Sequence, residues 1–149
     1  IDPQDPTNKY VPHVIEPTWG VDRTLLAVLV DHYREEGEGD SKRVWLALPP
    51  KLAPYKAAIF PLLKNKPELV EKARGIFDML SKEFMVAWDD RGNVGKRYYS
   101  QDEIGTPFGI TVDFDTLEDN TVTVRDRDTA EQVRINIDDL VNYISTRIN

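Results

Sequence analysis

One short stretch of the sequence places cationic side chains next to aromatic ones: Lys96, Arg97, Tyr98 and Tyr99. Arg125 and Arg127 follow in a later segment. Aromatic rings stack on unpaired bases, and arginines bind phosphates or base edges. The combination therefore indicates a surface for an unpaired RNA loop. In the alternative interpretation, residues 125–128 form a solvated hairpin whose arginines and aspartates neutralise one another.

A second candidate pair, Glu16 and Arg23, flanks a turn that contains Pro17 and Gly20. Taken alone, the two residues favour an ion pair between a strand and a helix at the surface.

Other patterns carry no chemistry. The acidic cluster in residues 113–119 lacks the central glycine and terminal glutamate of a calcium loop, so no metal site is expected. Gly92 and Gly95 precede no Lys-Ser/Thr pair, which excludes a phosphate-binding loop. His13 and His32 are interpreted as packing or surface residues.

Composition limits the function further. The chain has 149 residues, a net charge of −7 and no cysteine. The absence of cysteine excludes disulfides and thiolate zinc sites and fits a reducing cytoplasm. The acidic balance disfavours indiscriminate nucleic-acid binding and leaves room only for a local basic patch. The longest apolar run, residues 25–30, is too short for a membrane span. Because the first residue is Ile1, the chain is expected to come from a longer protein.

The elements that position these residues begin with an edge strand at residues 10–16, which Pro12 limits in length. A helix over 21–33 is apolar on nearly every side, which indicates burial in a larger body. The charged residues 35–42 are the expected linker. After it, a short strand is predicted at 44–48.

The remainder predicts an α/β domain. A continuous apolar strand at 56–63 is followed by a helix capped by Asn65, a strand at 84–88 and a short helix at 96–104. Strict alternation then predicts strands through 108–114, 122–124 and 133–135, and Asn136 caps a final helix. The sum is a five-stranded mixed sheet flanked by three helices.

Two regions carry a family resemblance. Residues 10–23, with Glu16-Pro17-Thr18 followed by Gly20 and Arg23, resemble motif 3 of the class II glycyl-tRNA synthetases, with threonine where serine is usual. Residues 48–56, 102–115 and 124–128 resemble the anticodon-binding domain of the same family. The resemblance divides the chain into a carboxy-terminal remnant of the catalytic domain with its linker, 1–42, and an anticodon-binding domain, 43–149.

The resemblance implies roles for the first segment. Glu16 would hold the ammonium group of glycine by charge-assisted hydrogen bonds, and Arg23 would be catalytic by binding a polyphosphate oxygen of ATP. The glycine site would comprise Glu16, Pro17, Thr18, Trp19 and Gly20, and the ATP site Gly20, Val21, Asp22 and Arg23. ATP would act with Mg²⁺ in the longer protein, whereas the present chain alone is expected to bind neither and to be inactive.

For the second segment the resemblance implies glycine tRNA as partner. Glycine codons begin with two guanines, so the anticodon carries two cytosines. The exocyclic amine of a cytosine donates a hydrogen bond that a carboxylate can accept. The predicted contacts are Lys96, Arg97, Tyr98, Asp102, Glu103, Phe114, Asp115, Arg125 and Arg127. Asp102, Glu103 and Asp115 are the candidate acceptors. Replacing Arg97 by alanine is expected to weaken tRNA binding with little loss of stability.

The function implied is ATP-dependent attachment of glycine to its tRNA during cytoplasmic protein synthesis, by a protein expected to be a homodimer, the present chain being monomeric. The alternative is a non-catalytic anticodon-domain homologue that serves as a protein-interaction or polymerase-accessory module.

Overall fold

The computed structural model describes residues 2, 4–39 and 42–148. Its elements, in chain order, are α1 (Val21–His32), β1 (Tyr33–Glu36), β2 (Arg43–Leu46), β3 (Ala57–Pro61), α2 (Pro67–Leu80), β4 (Val86–Trp88), α3 (Val94–Glu103), β5 (Phe108–Val112), α4 (Phe114–Asp119), β6 (Thr121–Asp126), β7 (Gln132–Asn136) and α5 (Leu140–Ile148). Within these residues, none of the helices combines the length and the apolar character that crossing a bilayer requires.

The main sheet has five strands in the order β4-β3-β5-β6-β7, which confirms the predicted mixed sheet. β3 pairs in parallel with β4 and β5, and the later strands pair antiparallel. Every residue of β3 is buried, because helices cover both faces of the sheet. Ile59 belongs to the cluster that includes Leu69 of α2, whereas Phe60 packs on Tyr98 of α3.

The helices α2, α3 and α5 correspond to the three helices predicted for this domain, of which α2 and α5 carry an apolar stripe. α2 begins at Pro67, but Lys66, and not Asn65, occupies its N-cap position, and no side chain caps it. The prediction for Asn65 is therefore wrong. Asn136 does cap the turn that leads into α5, since its side chain accepts from the Asp138 amide at 3.0 Å.

The predicted strand through residue 114 ends earlier, because Asp113 and Thr116 cap a short helix. The Asp113 carboxylate accepts from the Thr116 amide at 3.0 Å, and the Thr116 hydroxyl accepts from the Asp113 amide at 3.1 Å. Phe114 is consequently the first residue of α4. Six residues are too few for a helical period to show in the sequence.

The first segment differs most from expectation. Residues 8–20 have no regular secondary structure and are exposed, so the strand predicted at 10–16 is wrong. A strand needs a neighbour for its backbone hydrogen bonds, and no other part of the described chain pairs with this segment. α1 forms as predicted, and none of its residues is buried.

The expected linker also contains structure. β1 and β2 form an antiparallel hairpin in which Tyr33 faces Leu46 and Glu36 faces Arg43. Glu35 and Glu36 are therefore in a strand, contrary to the linker prediction. The predicted division between residues 42 and 43 falls at the turn of this hairpin.

Candidate nucleic-acid interface

A crevice lies at the carboxyl end of β4 and is lined by Asp89, Arg91, Gly92, Lys96, Arg97 and Ser100. β3 continues into α2 on one face of the sheet, and β4 continues into α3 on the opposite face. The two connections therefore leave the same end of the sheet on opposite faces. In open α/β sheets, ligands bind outside the carboxyl ends of the strands.

Exposed cations line this crevice and lie in the neighbouring loop after β3. Lys64 and Lys66 lie in the connection from β3 to α2, Arg91 in the connection from β4 to α3, and Lys96 in the first turn of α3. We call these four residues the cationic edge. The amino termini of α2 and α3 point to the same end of the sheet and add partial positive charge.

Arg91 contacts the buried carboxylate of Asp89 through its Nε at 3.1 Å and its backbone amide at 2.9 Å. Burial alone would raise the pKa of Asp89, but these hydrogen bonds and the arginine charge outweigh it and hold the pKa below the ordinary value. Asp89 thus stays ionised and fixes the backbone of Arg91, while most of the arginine side chain remains in solvent.

Arg97 lies inside the protein, with 2% of its surface exposed. Its guanidinium donates to the carbonyls of Pro61, Asp90, Arg91 and Gly92, the last two at 2.9 Å. It joins the end of β3 to the loop after β4, and so holds the two sides of the crevice together. Contrary to the expectation from the sequence, we predict that removing Arg97 lowers stability, because its removal would leave these carbonyls unpaired.

Tyr98 also faces inward. Its ring lies 5.3 Å from that of Phe60 in a perpendicular arrangement, and its hydroxyl is 2.7 Å from Thr111 Oγ1. Burial raises the pKa of Tyr98, so the phenol stays neutral. The neighbouring Tyr99 is exposed and available for stacking.

Asp102, Arg125 and Arg127 lie at the opposite edge of the sheet, where β5 begins and β6 ends. All three are buried. Arg125 donates to both oxygens of Asp102, and Arg127 donates to the carbonyls of Gly105 and Leu48 at 2.7 and 2.8 Å. Glu103 is exposed at this same end of α3. The predicted contacts are thus divided between two edges.

Phe114 and Asp115 do lie at the carboxyl end of the parallel strands. They follow β5 directly, and the Leu62 amide donates to the Val112 carbonyl at 2.8 Å, which joins the ends of β3 and β5. Both side chains are exposed. Burial alone would raise the pKa of the preceding Asp113, but hydrogen bonds from Thr116 and the ion pair with Arg134 hold it low.

In the first segment, Glu16, Pro17, Thr18, Trp19, Gly20, Val21, Asp22 and Arg23 are all exposed. Across the residues that the structure describes, neither Glu16 nor Arg23 forms an ion pair. The aliphatic part of Arg23 lies near Gly20, 3.8 Å from where a Cβ would stand. Trp19 and Val21 line an apolar groove of about 530 Å³ together with α1, Leu48, Leu52 and Pro54.

Comparison with known proteins adds the family. The anticodon binding domain family matches residues 56–147, which include the whole five-stranded sheet. The chain belongs to this family. The chain is similar to glycine–tRNA ligases. It is 54% identical to that of Clostridium tetani over 99% of this chain and 56% identical to that of Alkaliphilus metalliredigens over 97%. The ligase of Bacillus cereus is 53% identical over 99%. The chain spans about a third of the length of these relatives, 31% in each case.

These comparisons confirm the resemblance to the glycyl-tRNA synthetases and favour it over a non-catalytic module, since each of these relatives is named as a ligase. They do not assign individual contacts. Sequence reasoning missed Lys64, Lys66 and Arg91 in this anticodon-binding domain. The available signal was their position, directly after two strands predicted to be parallel.

Throughout residues 4–39 and 42–148, no three histidine or acidic side chains are grouped in a way that would hold a metal ion.

Proposed function

We propose that the chain binds the anticodon loop of glycine tRNA at the cationic edge, as the RNA-binding part of a cytoplasmic glycine–tRNA ligase. The observation that carries the proposal is the concentration of Lys64, Lys66, Arg91 and Lys96 at the carboxyl ends of the parallel strands β3 and β4 in a chain of net charge −7. An acidic protein repels the RNA backbone over most of its surface, so a local cationic region selects where the RNA docks.

Exposed residues at this end and along α3 supply the remaining chemistry. Phe114, directly after β5, and Tyr99, in the middle of α3, are rings on which unpaired bases stack. Asp115 is the acceptor for a cytosine amine, because it alone of the predicted carboxylates is both exposed and at this edge. Asp102, Arg125 and Arg127 support the fold in this proposal, since their polar groups are bonded inside the protein. Arg97 supports the two loops.

Glycine activation belongs, in this proposal, to the longer protein. There Glu16 binds the glycine ammonium, Arg23 binds ATP, and residues 17–22 complete the wall of the site. The full exposure of these residues in the present chain supports this view, because a selective pocket for so small a substrate must be closed by further segments. A homodimeric state of that protein remains part of the proposal.

Replacing Lys66 and Lys96 together by alanine tests the cationic edge. Two phosphate contacts would be lost, so we expect affinity for glycine tRNA to fall about tenfold. The slope of log K against the logarithm of the salt concentration should become less steep by about two. Filter binding at several salt concentrations measures both quantities.

The matched control replaces Lys51 and Lys82, two exposed lysines outside the cationic edge, by alanine. It removes the same charge and is expected to leave affinity nearly unchanged. Equal losses in the two double variants would mean that net charge, and not this edge, governs binding, and the proposal would be wrong.

A further inference from the structure

A buried ionic cluster joins the hairpin to the anticodon-binding domain. Its centre is Asp102, at the end of α3, with 2% of its surface exposed. Arg125 of β6 donates to Oδ1 at 3.0 Å and to Oδ2 at 3.2 Å. Arg43 of β2 donates to Oδ2 through Nε at 3.1 Å and Nη2 at 2.9 Å. One carboxylate therefore binds two guanidinium groups that come from separate parts of the chain.

The surrounding contacts reinforce this junction. Arg43 also donates to the carbonyl of Arg127, and Arg127 in turn donates to the carbonyl of Leu48, just after the hairpin. The ring of Trp45 lies 4.4 Å from the Arg43 guanidinium carbon. Hydrogen bonds thus run from the hairpin to the domain and from the domain to the segment that follows the hairpin. Because each of these guanidinium groups makes more than one hydrogen bond, the contacts fix orientation as well as distance.

The hairpin is itself continuous with α1. β1 begins at the residue after α1 ends, and the Ala47 amide donates to the His32 carbonyl at 2.8 Å, which ties the far side of the hairpin to the end of the helix. The segment with Glu16 and Arg23 enters α1 at its other end. A hairpin fixed to the domain therefore fixes the direction of α1.

The same helix that carries Asp102 begins at the cationic edge. Lys96 is in its first turn and Asp102 in its last. Ten residues of α-helix span about 15 Å, so α3 is a rigid connection between the crevice and the ionic cluster. The two ends of this connection lie at opposite edges of the sheet.

We propose that Asp102 is a positioning residue: through Arg43 it fixes the unit of α1 and the hairpin, and with it the Arg23 segment, in one orientation relative to the RNA-binding edge. The RNA side of this statement rests on the proposed function, whereas the fixed orientation does not.

Substitution of Arg43 gives the cleanest test. Removing Asp102 would leave the buried Arg125 and the half-buried Arg43 without their carboxylate and endanger the fold, whereas Arg43→Met leaves the Asp102–Arg125 pair intact. The chain has no cysteine, so a double variant with Leu26→Cys in α1 and Asp78→Cys in α2 accepts spin labels at these two exposed positions only. Pulsed electron spin resonance then measures the distance between α1 and the domain.

We expect one narrow distance in the labelled parent chain, its loss in Arg43→Met, and partial recovery in Arg43→Lys, which restores the charge without the bidentate contact. The control is Arg34→Met on the same hairpin, because within the described residues Arg34 donates to the nearby carbonyls of Asp31 and Tyr33 and not to the ionic cluster. This control is expected to keep the narrow distance.

Affinity for glycine tRNA is expected to stay within about twofold of the parent value in Arg43→Met, because the substitution is far from the cationic edge. A single narrow distance in Arg43→Met would overturn the proposal. Loss of the domain's cooperative unfolding in this variant would do so too, because it would show a general role in stability. Failure of the parent chain to bind RNA would instead count against the proposed function and leave the distance result valid.

Discussion

Arginines in this chain have two distinct uses that their sequence neighbourhoods do not distinguish. Arg91 is held at its backbone and exposes its side chain, as an RNA contact must. Arg97, Arg125 and Arg127 are buried, and their guanidinium groups donate to carbonyls or to Asp102. A buried guanidinium is stable only when its donors are paired, and here loops and strand ends supply the acceptors.

Arg97→Met is the residue-scale prediction. It removes the donors that satisfy the carbonyls of Pro61 and the loop after β4, so the free energy of unfolding should fall by about 3 kcal/mol. Urea denaturation measures this loss. The neighbouring Lys96→Met, at an exposed position, should change it by less than about 0.5 kcal/mol. Similar small effects in both variants would contradict the role assigned to Arg97.

At the scale of elements, the packing of α3 on the sheet limits the size of the side chain that β5 can carry at residue 109. Gly109 lies in β5 opposite Ala58 of β3, beneath the ring of Tyr98. A Cβ at this position would stand 2.6 Å from the Tyr98 ring and 3.1 Å from that of Phe60. The packing of α3 on the sheet thus depends on a glycine in a strand, where glycine is ordinarily unfavourable.

Two glycine substitutions test this packing with opposite expected signs. Gly109→Ala should lower the free energy of unfolding by about 2 kcal/mol, because neither ring can move without disturbing the core. Gly75→Ala, in α2 with open space around it, should raise stability by about 0.5–1 kcal/mol through helix propensity. Denaturation of both variants in guanidinium chloride measures the two free energies of unfolding. A neutral Gly109→Ala would show that α3 does not pack on β5 as described.

The elements that the sequence predicted correctly are those with a repeating apolar pattern. β3 is a continuous apolar run, and α2 carries the apolar stripe Leu69, Ala73, Ile76 and Leu80. These apolar residues are the ones buried in the fold, so their spacing in the sequence indicates the type of each element. The strand expected at residues 10–16 was wrong because alternation indicates only the capacity to pair, and pairing needs a neighbour. The strand predicted at 44–48 corresponds to β2, whereas β1 was missed because three of its four residues are charged and it pairs only with β2 among the described strands.

The candidate site was predictable only in part, for a related reason. Residue types indicated RNA contacts, and Lys96, Phe114 and Asp115 do lie exposed at the carboxyl end of the parallel strands. Which arginine faces solvent depends on tertiary neighbours such as Pro61 for Arg97 and Asp102 for Arg125. Lys64 and Lys66 became candidates only once the strand order placed their loop at the crevice.

At the scale of the whole molecule, the chain combines a net negative charge, a cationic edge on its α/β domain and a helix, α1, none of whose residues is buried. The domain belongs to the anticodon binding family, and its ligase relatives are about three times as long as the region that this chain matches. The central claim is that this chain, without the remainder of such a ligase, selects glycine tRNA by its anticodon.

Competition filter binding tests that claim most directly. It compares glycine tRNA with the same tRNA in which the two anticodon cytosines are replaced by uracils, at one salt concentration. Phosphate contacts are equal in the two RNAs, so any difference reports base recognition. The account predicts at least about tenfold weaker binding of the uracil variant, because a carboxylate that accepts from a cytosine amine faces an acceptor in uracil. Equal affinity for the two RNAs would contradict it.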